Sequence, residues 1–521
     1  MALSFPKFGH PAFAWIALTP LLVAIAHGPR AGKAYPSARR AFTLGLTSGA
    51  VYFAGTLYWL VETMTTFGGL STALAAFAAL LLVAYLSLFP GMFALLVSRM
   101  TRTWGAPGLL LAPPVWTATE LGRQYVWDGF PWALLGYSQV TWLPIAQLAS
   151  ITGVYGLSAL LALAGAAIAY VVVDGGHAAG WPPGSKRPTA RTNNTRWKVA
   201  AVTAAVVAVC AAWGQWRLGR SALLQAGEPI RVAVLQANIA QEDKWNPALA
   251  DDITNRYLAM TRRAIAGGAQ FIIWPESSTP FFFEHDLVRG GAIRRLAREG
   301  QVTLLIGSDQ IEPVRAERGR ARPAQQQYNA AFLVKPDGQV GAVYRKMHLV
   351  PFGEYVPAQR LLFFVGPIVE AVSAFQPGTD PVMLPIGDHF ASTAICYEVI
   401  FASLMRQFVL QGSELLTTIT NDAWYGTSSA AYQHWEQASM RAIEGGRYLA
   451  RAANTGISGF VDPYGRVLEK SALFEEAMLV ADLRFIRDRT VYGYIGDLVA
   501  WLSLALTIAA GVAAWRVRAV G

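Results

Sequence analysis

The sequence predicts two architectures in one chain, a multi-span transmembrane α-helical bundle and a separate α/β domain. The composition is 54% hydrophobic and only 15% charged, with a mean hydropathy of +0.33, which is far more apolar than usual for a soluble protein. Long apolar runs fill both ends of the chain, whereas short β-like runs alternate with amphipathic helices between about 229 and 487. We therefore assign 1–216 to a bundle of about six spans, 217–490 to the α/β domain and 491–521 to a C-terminal transmembrane helix.

About seven apolar segments have the length that crosses a hydrocarbon core roughly 30 Å thick. They are residues 9–27, 41–63, 70–98, 106–125, 152–173, 197–216 and 495–515. Lysines and arginines cluster in the loops 30–40, 99–102 and 186–196, which alternate to the same side of the membrane. The positive-inside rule makes that side cytoplasmic and places 217–490 in the periplasm. The sequence thus predicts a multi-pass protein of the cell inner membrane with its α/β domain facing the periplasm.

The first span has an alternative interpretation. A short N-terminal segment, 1–7, precedes an apolar run that ends in Ala24-Ile25-Ala26, a pattern that also resembles a secretory signal. Cleavage there would leave the basic loop 30–40 outside, against the positive-inside pattern. Seven spans also put the N-terminus outside, so an additional span upstream of this chain start stays an open alternative.

The net charge and the number of cysteines limit the classes of function that this chain can have. The formal net charge is +10, but the basic residues are spread along the chain and many lie beside apolar runs, so we expect a membrane and not a nucleic acid as partner. Two cysteines cannot form a disulfide framework. Cys210 lies in an apolar run and is expected to be a small buried hydrophobe in a spanning helix. Zinc-like spacings of Cys and His are absent from the sequence, and we expect neither a metal nor a dissociable cofactor.

The α/β domain shows a regular alternation of elements. Strands are predicted at 230–235, 271–274 and 302–306, and helices at 253–265 and 292–298. Two hairpins are predicted to turn at Pro336-Asp337-Gly338 and at Asp462-Pro463-Tyr464-Gly465, which have strong turn compositions.

Cys396 is the candidate nucleophile because it ends an apolar, strand-like stretch. A thiol reacts as its thiolate and needs a nearby base or positive charge. Glu276 is the candidate base, and Lys346 is the candidate stabiliser of the thiolate and of the oxyanion. The backbone N–H groups of Tyr397 and Glu398 are candidates for an oxyanion hole. Taken singly, these residues have ordinary alternatives: a core cysteine, a loop carboxylate and a solvated lysine.

Four motifs together resemble those of the apolipoprotein N-acyltransferases, the membrane-embedded branch of the nitrilase superfamily. They are Trp274-Pro275-Glu276-Ser277-Ser278, Arg345-Lys346-Met347-His348-Leu349-Val350-Pro351-Phe352-Gly353-Glu354-Tyr355-Val356-Pro357, Ile395-Cys396-Tyr397-Glu398 and Thr420-Asn421-Asp422-Ala423-Trp424-Tyr425-Gly426. The resemblance covers nearly the whole chain, including the flanking spans. It implies a nitrilase-like α-β-β-α sandwich in which Glu276 is the base, Lys346 the electrostatic stabiliser and Cys396 the acylated nucleophile.

The same resemblance implies a two-step acyl transfer. Cys396 would take an acyl chain from a phospholipid as a thioester and pass it to the α-amino group of the diacylglyceryl-cysteine of an apolipoprotein. The phospholipid, the apolipoprotein and the membrane are the expected partners of a monomeric enzyme. Positioning and substrate contact are expected of Trp245, Glu354, Tyr397, Glu398 and Trp424. Ordinary aromatic packing is the alternative for the two tryptophans.

Three apolar segments are expected to meet lipid. Pro280–Phe283 and Leu361–Ile368 follow the base and lysine motifs and are expected to be interfacial loops that dip into the bilayer, with core packing as the alternative. The segment Trp127–Trp132 is expected to contribute to an aromatic belt at the lipid surface.

The residues alone leave two other functions open. One is a membrane-tethered nitrilase-type amidase or hydrolase, in which water resolves the same thioester. The other is a transporter whose α/β domain is a binding module, which requires intramembrane charges along a path. Few charges fall inside the predicted spans, mainly Glu62 and Glu120 near their ends, which disfavours a transporter.

Overall fold

The computed structural model describes residues 1–26, 35–179, 191–313, 325–351, 353–355 and 375–519. The chain divides into two compact units, Met1–Arg220 with Tyr494–Gly521, and Ser221–Gly493. The first unit is helical, and the second contains all of the described strands. The boundaries assigned from the sequence, 217 and 490, fall a few residues before those of the second unit.

The first unit is built from apolar helices. The α-helices are Thr19–Ala26, Ala38–Leu57, Trp59–Thr66, Thr72–Trp104, Ala112–Tyr125, Leu143–Ala146, Ala149–Ala179, Arg191–Arg220 and Leu498–Ala519, with 3-10 helices at Ala2–Ser4, Pro11–Trp15, Ala106–Leu111 and Leu135–Gln139. A short helix, Val491–Ile495, precedes the last of them.

Four helices among the described residues are long and apolar enough to cross a membrane: Thr72–Trp104, Ala149–Val173, Asn194–Leu224 and Leu498–Val517. A fifth span results if Ala38–Leu57 and Trp59–Thr66, which meet at a bend of 49°, are taken together. The chain therefore spans a membrane several times.

Two further segments predicted as spans, 9–27 and 106–125, are interrupted and are not single long helices. Each of them is a 3-10 helix followed by a short α-helix. Pro20 lies in the first turn of Thr19–Ala26, and Pro113 and Pro114 lie in the first turn of Ala112–Tyr125. Proline fits the first turn of a helix but lacks the N–H that a continuous helix would need at that point.

A buried ion pair lies in the helix Ala112–Tyr125. Glu120 and Arg123 are 1% and 2% exposed, and a guanidinium nitrogen lies 3.5 Å from the carboxylate. The same carboxylate accepts hydrogen bonds from the Trp116 indole at 3.0 Å and from the Leu135 N–H at 2.8 Å. Glu120 thus ties the segment that follows this helix back onto it.

The aromatic belt expected at Trp127–Trp132 forms only in part. Trp127 is 85% exposed and stacks on Tyr85 with their ring centroids 5.3 Å apart. Trp132 is only 1% exposed and packs against Trp59 at 5.3 Å. The prediction is therefore wrong for Trp132, which is a core residue of the helical unit.

The second unit contains two six-stranded sheets. The strands are β1 Pro229–Gln236, β2 Phe271–Ile273, β3 Thr303–Pro313, β4 Gln325–Val334, β5 Val340–Arg345, β6 Leu384–Ile386, β7 His389–Ile395, β8 Leu415–Thr420, β9 Leu449–Ala453, β10 Gly459–Val461, β11 Val467–Lys470 and β12 Ala477–Arg484. The orders are β12-β1-β2-β3-β4-β5 and β11-β10-β9-β8-β7-β6. Each sheet has a parallel centre, β1-β2-β3 in the first and β7-β8-β9 in the second, with antiparallel edges.

The two sheets pack face to face and helices cover their outer faces. Strands β8 and β9 are buried at every residue, as expected of a sheet covered on both sides. The helices Ala250–Ala266 and Arg289–Gly300 share an apolar core with the first sheet, and Ala402–Leu410 and Ser429–Gly445 pack on the second. Across the interior, the Ser458 hydroxyl donates to the Gln236 side chain at 2.6 Å. These layers confirm the expected α-β-β-α sandwich.

The sequence periodicity locates most of these elements correctly. The strands predicted at 230–235 and 271–274, the helices at 253–265 and 292–298, and both hairpin turns are confirmed. The strand predicted at 302–306 is longer and ends at Pro313. The whole strand pairs with β4 over ten residues, from Leu304–Val334 to Pro313–Gln325.

Candidate active site

The three candidate catalytic side chains follow the ends of three strands. Glu276 comes after β2, Lys346 directly after β5 and Cys396 directly after β7. β2 and β5 belong to the first sheet and β7 to the second, so the site lies at strand ends of both sheets. The three residues are between 1% and 6% exposed.

Glu276 is held by donors from both sheets. Its carboxylate accepts hydrogen bonds from the Asn329 amide at 2.7 Å and from the Asn421 N–H at 2.8 Å. The Lys346 ammonium lies 3.5 Å from the same carboxylate. Burial alone would raise the pKa of Glu276, but the charges of Lys346 and Lys244 and these hydrogen bonds lower it below its ordinary value. Glu276 is therefore an ionised carboxylate at neutral pH and can accept a proton.

Lys346 lies between two carboxylates. Its ammonium is 2.8 Å from Glu354 and 3.5 Å from Glu276, and Asn329 donates to both carboxylates. Burial opposes the charge on Lys346, but Glu354 and Glu276 together with the nearby Cys396 raise its pKa above the ordinary value. The lysine is therefore a fixed positive charge and not a proton donor.

Cys396 has an unusual backbone conformation. Its φ is +52°, in the left-handed region that residues other than glycine rarely adopt. The side chain is 6% exposed, and the hydroxyl of Thr420 hydrogen-bonds it. Burial raises the pKa of the thiol, the charge of Glu276 raises it further, and Lys346 only partly opposes this. The resting site thus contains a neutral thiol beside a carboxylate, and not the Lys346-stabilised thiolate expected from the sequence.

Glu398 and Glu354 have positioning contacts. Glu398 is fully buried and accepts hydrogen bonds from the Tyr344 hydroxyl at 2.8 Å and from the N–H groups of Met347 and Ile395 at 2.6 and 2.7 Å. It therefore joins the end of the lysine strand to the end of the cysteine strand. Burial raises its pKa to about 7. Glu354 accepts the Val350 N–H at 2.7 Å besides binding Lys346, which fixes the turn after the lysine.

The three aromatic candidates have different environments. Trp245 is 46% and Trp424 39% exposed, so neither is an ordinary core residue. Tyr397 is only 5% exposed, and its ring meets the edge of Phe401 at 5.2 Å. Solvent-facing tryptophans beside a buried nucleophile provide apolar surface that a bound molecule can cover.

The interfacial loop expected at Pro280–Phe283 is not formed as predicted. Phe283 is 1% exposed and packs on Phe332 at 5.4 Å, so the prediction is wrong for this residue. The exposed apolar side chains lie a few positions later, at Leu287 and Val288, which are 86% and 81% exposed. The other expected loop, Leu361–Ile368, lies outside the described residues.

The sequence motifs did not single out Lys244, Asn329 or Asn421. Lys244 is 4% exposed and donates to the backbone carbonyl of Glu276 at 2.9 Å. Burial lowers its pKa to about 8, although the nearby Glu276, Asp309 and Cys396 oppose this. Asn421 lies in the quoted motif Thr420–Gly426 and Lys244 directly precedes the candidate Trp245, and these positions were their only signal. Asn329 lies in a strand with no distinguishing pattern around it.

Replacing Lys244 by methionine is expected to slow acylation of Cys396 roughly 10-fold and to lower the free energy of unfolding by about 1–3 kcal/mol. The reason is that the Glu276 carbonyl loses a buried donor and the site loses a positive charge. Acyl-adduct formation and thermal unfolding would measure both effects. Lys470→Met, at an exposed lysine of β11, is the matched control. An unchanged acylation rate in Lys244→Met would contradict the assignment.

Two family models match separate parts of the chain. Residues 1–167 match the family model described as the apolipoprotein N-acyltransferase N-terminal domain, and residues 231–487 match the carbon-nitrogen hydrolase model. The class of protein is therefore a carbon-nitrogen hydrolase-type enzyme domain joined to membrane-spanning helices.

Relatives define the family within that class. A protein of Geobacter metallireducens named apolipoprotein N-acyltransferase is 38% identical over 100% of this chain and 94% of its own length. Another of the same name, from Bradyrhizobium diazoefficiens, is 34% identical over 94% of this chain and 88% of its own. A crystal structure of an amidase from Nesterenkonia sp. is 22% identical, covers 50% of this chain and 93% of its own, and has a TM-score of 0.37. The chain belongs to the apolipoprotein N-acyltransferase family.

Proposed function

We propose that this enzyme transfers an acyl chain from a phospholipid to the α-amino group of the N-terminal diacylglyceryl-cysteine of an apolipoprotein. The observation that carries the proposal is the buried network of Glu276, Lys346 and Asn329 at the strand ends beside Cys396. Such a site supplies a base, a fixed positive charge and a nucleophile, the components of covalent acyl transfer. The names of the relatives supply the donor and acceptor classes.

In the first step Glu276 accepts the thiol proton while the Cys396 sulfur attacks the ester carbonyl of the phospholipid. Because the resting thiol is neutral and the carboxylate ionised, proton transfer accompanies the attack. The tetrahedral oxyanion is stabilised by the Lys346 ammonium and by backbone N–H groups that follow the nucleophile. Collapse breaks the ester C–O bond, and the leaving lysophospholipid oxygen takes the proton from Glu276. The product is the Cys396 thioester.

In the second step the neutral α-amino group attacks the thioester carbonyl. Glu276 takes a proton from the attacking nitrogen, and Lys346 again faces the developing oxyanion. Collapse forms the amide bond and breaks the C–S bond, and the proton returns to the sulfur. The free thiol and the ionised carboxylate are restored, so the enzyme follows ping-pong kinetics.

Some of the supporting residues contact the two substrates, and others hold the catalytic residues in place. Glu354 and Glu398 position Lys346 and Cys396 through the hydrogen bonds described above. Trp245 and Trp424 offer exposed aromatic surface for the acyl chain or the lipopeptide. Tyr397 packs beside the nucleophile and contributes its backbone N–H to the oxyanion hole.

The proposed setting is the cell inner membrane, with the catalytic unit on the periplasmic side. The support is the distribution of basic loops, since 30–40, 99–102 and 186–196 fall on one side, the cytoplasmic one, when every predicted span crosses the membrane, the interrupted segment 106–125 included. In that orientation the catalytic unit reaches lipids of the outer leaflet. We further propose that the enzyme acts as a monomer, because one chain supplies every catalytic group named above.

Intact-mass measurement after incubation with phospholipid tests the proposal. The expected result is a covalent acyl adduct that peptide mapping assigns to Cys396. Adding a diacylglyceryl-cysteine peptide should then remove the adduct and yield N-acylated peptide with lysophospholipid. Release of free fatty acid without N-acylated peptide would instead identify the membrane-tethered hydrolase.

Replacing Glu276 by glutamine is expected to slow thioester formation by about 10²–10⁴-fold, because the amide cannot accept the thiol proton. The time course of the acyl adduct by intact mass measures this. Glu284→Gln is the matched control, since Glu284 is exposed and lies in the loop that follows the base. Thioester formation at the wild-type rate in Glu276→Gln would remove Glu276 as the base.

A further inference from the structure

A buried charged cluster lies next to Cys396 and has no role in the mechanism above. It consists of Asp422 after β8, His434 in the helix Ser429–Gly445 and Arg451 in β9. Their side chains are fully buried. Burying three ionisable side chains is costly unless each is paired, so the cluster requires an explanation.

The contact between His434 and Cys396 fixes the hydrogen on one ring nitrogen of His434. The Nε2 atom of His434 lies 3.1 Å from the backbone carbonyl oxygen of Cys396. A carbonyl oxygen only accepts hydrogen bonds, so Nε2 carries the hydrogen. On the other side of the ring, Nδ1 lies 3.0 Å from an Arg451 guanidinium nitrogen, which only donates. Nδ1 also lies 3.1 Å from an Asp422 carboxylate oxygen, so Nδ1 is held between Arg451 and Asp422 while Nε2 donates to the Cys396 carbonyl.

Arg451 and Asp422 lock this arrangement. The Arg451 nitrogen that donates to His434 also lies 2.8 Å from an Asp422 carboxylate oxygen, so its two hydrogens are both used. The other Asp422 oxygen accepts the Thr420 hydroxyl at 2.8 Å. Burial and the Arg451 charge lower the pKa of His434, while the Asp422 carboxylate opposes this. The imidazole can neither rotate nor exchange its donor without breaking a buried hydrogen bond.

The same cluster reaches Cys396 at two points. His434 binds the backbone carbonyl, and Thr420, which Asp422 holds, hydrogen-bonds the thiol. A non-glycine residue in the left-handed region costs roughly 1–3 kcal/mol and persists only where the surroundings enforce it. Cys396 has this conformation, with φ +52°, at the point where β7 ends.

We propose that His434 is a positioning residue for the nucleophile. Its Nε2–H holds the Cys396 carbonyl, keeps the backbone in the left-handed conformation and so directs the sulfur toward Glu276 and Lys346. Asp422 and Arg451 serve by holding Nδ1, which fixes the orientation of the ring. The inference rests on the proposed function, because it concerns the same nucleophile.

A pair of amide variants separates the hydrogen bond from the packing. Glutamine at 434 can carry an N–H to the position of Nε2, whereas asparagine ends near Nδ1 and cannot reach the Cys396 carbonyl. Both variants are made in a Cys210→Ser background, so that Cys396 is the one cysteine in the chain. His389→Gln is the control, because His389 lies at the other end of β7 and pairs with Glu414 at 2.6 Å.

The readout is the rate at which iodoacetamide alkylates Cys396 in the folded, full-length protein, measured by intact mass, with acyl-adduct formation in parallel. We expect His434→Asn to alkylate at least 10-fold more slowly than the parent, and His434→Gln to stay within about threefold, like His389→Gln. Rescue by glutamine distinguishes positioning from a general loss of structure.

Equal rates in all variants, or an equal loss in His434→Asn and His434→Gln, would overturn the proposal. If His434→Asn does not fold, Arg451→Lys is measured in its place. A lysine at position 451 weakens the contact that holds the imidazole, while the N–H donor of His434 remains. An unchanged alkylation rate in Arg451→Lys would also overturn the proposal. Alkylation needs no lipid. A parent protein that alkylates but forms no acyl adduct would therefore refute the proposed function, while the variant comparison still decides the role of His434.

Discussion

Replacing Cys396 by serine is expected to abolish the phospholipid-derived acyl adduct and to reduce N-acylation by at least about 10³-fold. A serine hydroxyl is a much weaker nucleophile than a thiol beside the same carboxylate, and Glu276, with its lowered pKa, is a poor base for it. The folded state should persist, because oxygen replaces sulfur at a site already provided with the Thr420 hydroxyl as partner. Intact mass and product assays measure the loss.

The control for this substitution is Cys210→Ser. Cys210 is the other cysteine of the chain and lies in the helix Arg191–Arg220, so the same chemical change there should leave both the adduct and the activity in place. An adduct that persists in Cys396→Ser, or that disappears in Cys210→Ser, would show that the acyl chain is carried elsewhere.

Replacing Lys346 by methionine is expected to remove activity and to reverse the pH dependence of stability. The substitution leaves Glu276 and Glu354 as two buried carboxylates joined by Asn329 without their shared cation. Two carboxylates that share a site cannot both ionise easily, so the pKa of one rises and Glu276 loses its readiness to accept the thiol proton. Removing one partner of a buried ion pair lowers the free energy of unfolding by about 3–5 kcal/mol at a pH where the remaining partner stays charged.

The sign of the pH effect follows from these shifts. In the wild type the pKa of Glu276 is lowered, so its ionisation stabilises the fold and that contribution is lost as the pH falls through the carboxyl range. In Lys346→Met the raised pKa makes stability fall as the pH rises. Thermal unfolding should be measured at about pH 5 and about pH 8. The difference in stability between Lys346→Met and the wild type should be smaller at the lower pH.

Two further variants complete this test. Lys335→Met, at an exposed lysine paired with Asp337, is the matched control and should behave as the wild type. Glu354→Gln added to Lys346→Met should restore stability, because it removes one of the two competing carboxylates. A Lys346→Met protein with the pH dependence of the wild type would show that the lysine is not the cation that keeps both carboxylates ionised.

Much of the fold could be predicted because local pattern and tertiary structure agree. The helix Ala250–Ala266 and the strand β1 follow from apolar periodicity alone, and the turn at Pro336-Asp337-Gly338 follows from its composition. The interruptions inside the spans predicted at 9–27 and 106–125 could not be predicted, because hydropathy averages over a window. It does not register a proline that stops one helix and starts the next.

The candidate site could be predicted only where chemistry and motif coincide. Glu276, Lys346 and Cys396 are the residue types that acyl transfer needs, and each stands in a distinctive segment. Asn329 and His434 carry no such signal, because their importance arises from pairing between strands and helices far apart in the chain. Phe283 is the opposite example: it belongs to an aromatic run that was expected to be exposed, but it packs against Phe332 in the core.

The arrangement of Lys346 and Lys244 opposite Glu276 and Glu354 has a consequence for how the enzyme responds to its medium. These two ammonium groups and two carboxylates, with Asp309 beside Lys244, are all at most 9% exposed. Moving the thiol proton onto Glu276 only shifts a negative charge from Glu276 to the Cys396 sulfur, inside this buried site. Mobile ions screen exposed charges within about 10 Å at 0.1 M salt but hardly reach such a set. Ionic strength therefore acts on the headgroups and the basic loops at the membrane, while the bond-making step is insulated from it.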